Sequence, residues 1–144
     1  MNLFRRQSNP AEKRVGIFID APNIFREARV DLFELGKKAS KYGHPSLRKI
    51  FFDKNVTEGL VEVAFSAGFE TIITAGDVDV LLACQAVEAM LTNSIDTLVL
   101  VSGDSDFLPL FLLASKLGKG KIVICPEDRL SSALKNLADK VELL

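Results

Sequence analysis

The chain has 144 residues, 48% hydrophobic and 26% charged, with a formal net charge of −1; that suits one domain with a buried core and excludes intrinsic disorder. Two cysteines exclude a disulfide scaffold. The longest apolar run, Phe107 to Ala114, falls short of the roughly 20 residues that cross a bilayer, and no apolar segment follows Arg5 and Arg6 as a secretory signal would need, so a soluble cytoplasmic protein is expected.

Residues Met1 to Lys13 are polar, basic and contain Pro10, and read as a poorly ordered leader. Val15 to Ile19 is an apolar strand ending at Asp20, with Pro22 where a first helical turn accepts it. Apolar residues at helical spacing (Ile24, Phe25, Ala28, Leu32, Leu35) predict one helix ended by Gly36, followed by a basic loop from Lys37 to Pro45. Leu47 to Phe52 is a second strand, and the stripe Val56, Leu60, Val63, Ala64 and Ala67 a helix closed by Gly68. Then come a strand from Phe69 to Thr74, an apolar helix from Asp79 to Leu91 and a wholly apolar strand from Thr97 to Val101. A helix from Phe107 to Leu117 stops at Gly118 and is followed by a strand, Lys121 to Cys125, a helix, Leu130 to Ala138, and a short strand within Val141 to Leu144.

Strands apolar on both faces, each followed by a helix, predict a parallel sheet between helices. The fold class expected is a single doubly wound, Rossmann-like α/β domain over residues 14–144, with a mostly parallel sheet of five or six strands and right-handed crossovers. In such sheets ligands sit beyond the carboxyl ends of the strands, where strand order reverses. The first strand ends in Asp20-Ala21-Pro22-Asn23, the third runs into Gly76-Asp77-Val78-Asp79, and the fourth ends in Ser102-Gly103-Asp104-Ser105-Asp106. Pairing of the first and fourth strands would make Asp20 and Asp104 near neighbours. Each acid alone could be a helix cap or a first-turn charge. Several carboxylates in one small volume, however, stay ionised only beside a cation, and an all-oxygen donor set selects Mg²⁺ or Mn²⁺. Charge is also uneven: residues 1–54 carry 12 Lys and Arg against 6 Asp and Glu, and residues 55–144 carry 6 against 13. An acidic site beside a basic flank suits a phosphodiester substrate, although these cations could equally form a solvated tail and loop.

Val15 to Phe25 (VGIFIDAPNIF), Val78 to Ala89 (VDVLLACQAVEA) and Leu100 to Phe111 (LVSGDSDFLPLF) resemble the NYN domain in its LabA-like branch, within the PIN-like nuclease superfamily. The Ser-Gly-Asp-Ser-Asp-Phe stretch with Pro109 beyond it is the most specific piece, and the Asp20/Asn23 pair adds support. The resemblance implies a Mg²⁺- or Mn²⁺-dependent ribonuclease acting on RNA. Carried over by position, Asp20, Asp79 and Asp104 would be metal ligands, with Asp106 completing a catalytic acid set. Asn23 would orient Asp20 or a substrate phosphate, and Ser102 and Ser105 would make lesser substrate contacts. In the division of roles expected, Asp20 and Asp104 coordinate directly, while Asp79 and Asp106 act through water or as general base. Two departures stand out: Gln85 occupies the place of a second family acid six residues after Asp79, and Thr74 to Asp77 lacks a lysine. Asp77 could supply a replacement carboxylate. The departures leave open an alternative, a catalytically weak or inactive NYN-type RNA-binding or regulatory module.

Other candidates carry less. His44 has no neighbouring partner for metal or nucleophile chemistry, and Cys84 and Cys125 read as buried and inert. No dinucleotide fingerprint follows the first strand, and Pro22 excludes the Asp-x-Asp arrangement of a phosphatase. The phenylalanines lie mostly in apolar runs, which gives no base-stacking platform. A stripe left exposed on the helix through Leu108 and Leu113 would indicate a homodimer.

Overall fold

A computed structural model of the protein describes residues 13–25 and 30–144. Six strands, β1 (Arg14–Asp20), β2 (His44–Asp53), β3 (Glu70–Thr74), β4 (Thr97–Val101), β5 (Gly120–Cys125) and β6 (Lys140–Leu143), form one sheet in the order β3-β2-β1-β4-β5-β6. Every adjacent pair is parallel. The chain winds outward from β1 to one edge, returns to β4 beside β1, and winds to the other edge. Order therefore reverses between β1 and β4, and their carboxyl ends open a crevice.

Alternation along β1 sorts its side chains between two cores. Val15, Ile17 and Ile19 face α1 (Ala21–Ile24), α2 (Leu32–Ser40) and α3 (Glu58–Ser66), and Phe18 faces α4 (Val78–Leu91), α5 (Leu108–Lys116) and α6 (Ser132–Leu137). Asp20 has the parity of Phe18 and so opens toward the α4 side. All of β4 is buried, as its unbroken apolar sequence predicts. Phe111 of α5 is fully buried in the α4–α6 core. Phe111→Ala should lower the unfolding free energy by about 3–5 kcal/mol in a urea titration.

Gly68 and Gly118 adopt φ of 89° and 69° and close α3 and α5, as expected. The region after β1 differs from expectation. The single helix from Ile24 to Leu35 is two, because Asp31 starts α2 afresh by accepting the Phe33 and Glu34 amides at 2.9 and 3.2 Å. Gly36 does not end that helix. It is buried within α2, facing Arg48 and the Phe69 ring, and Lys37 and Lys38 belong to the helix rather than to a loop. His44 opens β2 instead of lying in that loop, and is exposed. Cys125 is buried, which pushes its thiol up to about 11, whereas Cys84 is exposed. It shares an outward stripe of α4 with Val80, Glu88 and Leu91. The expected leader lies, apart from Lys13, outside the described residues. Among those described, no helix is long and apolar enough to cross a membrane.

Candidate metal centre

Pairing of Ile19 with Val101 brings the residues that follow, Asp20 at the end of β1 and Ser102 just after β4, side by side at the crevice. Asp20 is only 3% exposed and Ser102 is fully buried. The Ser102 hydroxyl donates to Asp20 Oδ2 at 3.1 Å and accepts the Asp104 amide at 3.2 Å. One buried hydroxyl thus fixes the carboxylate of one strand end against the backbone of the other. Asn23 Oδ1 accepts the Gly103 amide at 3.1 Å and ties the first turn of α1 to the same loop.

The third acid arrives on α4. Asp77 caps that helix through the Asp79 amide, at 2.9 Å, and so is committed to its cap; Asp79 sits in the first turn. Carboxylate oxygens of Asp20, Asp79 and Asp104 lie within 4.8 Å of one another. They line a cleft of about 260 Å³ with Pro22, Asn23 and Arg129. Asp106 is outside this group. It is exposed on a short 3-10 helix, Ser105–Phe107, where its amide donates to Asp104 Oδ1 at 2.9 Å. Ser105, also exposed, is on the same turn.

Burial pushes the Asp20 carboxyl up to about 6, opposed by the Ser102 hydroxyl and the nearby Asn23 amide and helped by the charges of Asp104 and Asp77. Asp79 rises to about 7, first through burial and then through repulsion from Asp20, Asp104, Asp77 and Asp106. These shifts are what concentrated negative charge in a poorly solvated cup produces. The donor set fits a hard divalent cation: three carboxylates converge, with no sulfur or imidazole among them.

Gln85 is engaged elsewhere, its Oε1 accepting from Lys49 Nζ at 2.7 Å. Among the described early basic residues, several are paired with acids outside this group. Arg14 pairs with Asp96 at 3.1 Å at the opposite end of β1, Lys37 pairs with Glu34 on α2, and Lys41 bonds Glu142 of β6. Among the described residues, the cation lining the cleft is Arg129, which sequence reasoning missed. It ends a second 3-10 turn, Glu127–Arg129, that follows β5. The only sequence signal for it was a lone arginine just beyond a strand's carboxyl end.

Gly103 explains how that turn is held. A Cβ there would stand 1.9 Å from the Arg129 carbonyl oxygen, and the Ser131 amide donates to the Gly103 carbonyl at 3.0 Å. Gly103→Ala should therefore cost about 3 kcal/mol or more, seen as a lower urea midpoint, because backbone rather than a side chain must yield.

A family model described as the NYN domain matches residues 14–144. The uncharacterized protein MJ0482 of Methanocaldococcus jannaschii is 36% identical over 138 residues, or 95% of this chain, which spans 58% of that protein's length. The crystal structure of VPA0982, a protein of unknown function from Vibrio parahaemolyticus, shares the fold with a TM-score of 0.83 at 22% identity, covering 96% of each chain. Since the family match runs through every strand of the sheet and all three converging aspartates, the chain belongs to the NYN domain family.

Proposed function

We propose that the chain is a metal-dependent ribonuclease of the LabA-like, PIN-like kind, hydrolysing RNA phosphodiesters at the crevice between β1 and β4 in the cytoplasm. The observation that carries this reading is the convergence of Asp20, Asp79 and Asp104 from three separate parts of the chain. These three carboxylates would hold Mg²⁺ or Mn²⁺. When bound, such a cation supplies Lewis acidity, making water a better nucleophile at neutral pH and offsetting charge that builds on the phosphate.

The chain's own groups supply orientation and proton handling. Ser102 keeps one Asp20 oxygen engaged and so sets the carboxylate plane. Asn23, anchored through Oδ1, turns its Nδ2 donors to substrate oxygens. Asp106, beside the group rather than in it, serves as an outer proton acceptor, and Ser105 contacts the strand at the rim. Labelled single-stranded and structured RNA should be cut with Mn²⁺ or Mg²⁺ and left whole with chelator. Persistent cleavage in chelator would refute the proposal.

One observation favours a second reading, an RNA-binding module with little turnover. Gln85, neutral and held by Lys49, adds no carboxylate farther along α4. Calorimetric uptake of Mn²⁺ and binding of RNA without any cleavage would select it.

A further inference from the structure

We propose that Arg129 is the residue that binds the phosphate of the RNA strand at the cleft, a role that rests on the ribonuclease reading. Arg129 lines the same cavity as Asp20, Asp79 and Asp104, on the side opened by the turn after β5. Three carboxylates share that cavity, yet the guanidinium makes no ion pair within 4.0 Å with any described residue. Nor does it hydrogen-bond a described side chain, whereas the Arg14 guanidinium donates twice to Asp96.

Its backbone, by contrast, is fixed. The Arg129 amide donates to the Pro126 carbonyl at 3.0 Å, and the turn lies against Gly103, one residue from Asp104. The base of the side chain is thus held at a set place relative to the acids, while its five donors have no partner among the described side chains. A half-buried guanidinium that no described acid pairs is suited to an anion that comes from outside, and its planar fork matches two oxygens of a phosphate. Three ionised carboxylates around one divalent cation still leave the cup net negative, so a fixed cation beside them favours entry of a polyanion. The division of labour follows: carboxylates for the metal, Arg129 for a non-bridging phosphate oxygen pair.

The test compares the parent with Arg129→Ala and Arg129→Lys on a fluorescein-labelled single-stranded RNA with Mn²⁺, reading binding by anisotropy and cleavage by gel. Arg129→Ala should weaken RNA binding at least about tenfold and raise KM more than it lowers kcat. It should also reduce the salt dependence of binding by about 0.7 in log–log slope. Arg129→Lys should recover part of the affinity, because it keeps the charge and loses the fork. Mn²⁺ affinity by calorimetry and the melting temperature should stay at parental values. Parental RNA binding and KM in Arg129→Ala would overturn the assignment and leave the ribonuclease reading standing. A parallel loss of Mn²⁺ affinity or stability would overturn it in favour of a structural role. If the parent binds RNA without cutting it, the anisotropy series still decides for or against Arg129. A parent that neither binds nor cuts RNA sinks both proposals together.

Discussion

Asp104→Asn should reduce metal-dependent RNA cleavage by more than about 100-fold, since loss of a partner that merely orients a ligand already costs 10–100-fold. The substitution is close to isosteric and keeps Oδ1 to accept the Asp106 amide, so the turn into α5 stays capped. What disappears is one negative charge of the three that face each other. Asp20→Asn should be as damaging to activity, yet it should raise the melting temperature of the metal-free protein at pH 8. A buried carboxylate whose pKa is lifted to about 6 is ionised there against its surroundings, and the amide removes that cost. Asp106→Asn should lose much less, because Asp106 stands outside the convergent oxygens. Thermal melts and initial rates on the three variants check the pattern. Equal losses for Asp106→Asn and Asp104→Asn would place the chemistry elsewhere on the loop.

Proton and metal should compete openly at this site. Asp20 and Asp79 have folded-state values of about 6 and about 7, both above the ordinary aspartate value of 3.8. Between those limits the folded state binds more protons than the unfolded chain, so these two groups make stability fall as pH rises. Their contribution is full below about pH 4 and is lost as pH rises through about 6 and 7. A divalent cation needs the deprotonated carboxylates, so its effect runs the other way. At 100 times its dissociation constant, a ligand adds about 2.7 kcal/mol to stability. Mn²⁺ should accordingly raise the melting temperature strongly at pH 8 and hardly at pH 5. A Mn²⁺-induced shift of equal size at both values would contradict binding at these carboxylates.

The doubly wound sheet was legible because β1, β4 and β5 are apolar on both faces, a pattern that permits little besides a buried parallel strand. The helix-ending glycines 68 and 118 were legible for a similarly local reason, their place just after an apolar stripe. The break before α2 was hidden because Phe25 and Leu32 keep helical spacing across it. Asp31 with Glu34 three residues on was a capping signal that outweighs that spacing. Gly36 misled because small size there serves close packing against Arg48 and Phe69 rather than chain reversal. Cys84 misled because a helix rich in apolar residues still keeps an outward stripe. For the candidate site, the three acids could be named from the ends of strands and the start of α4. Arg129 could not be named with them, because its place depends on how the turn after β5 stacks on Gly103, and no local pattern encodes that contact.

The hydrogen bond from Ser102 to Asp20 joins positions 82 residues apart. While the polypeptide is being made, β1 and β2 can associate early, but the central seam stays open until β4 has emerged and slotted in. Hence no nascent fragment ending before Val101 can own the acidic cup, and Arg129 joins it later still. If the domain cuts RNA, the order of synthesis withholds that capacity from an unfinished chain still tethered to a ribosome, a particle built largely of the very polymer it would attack.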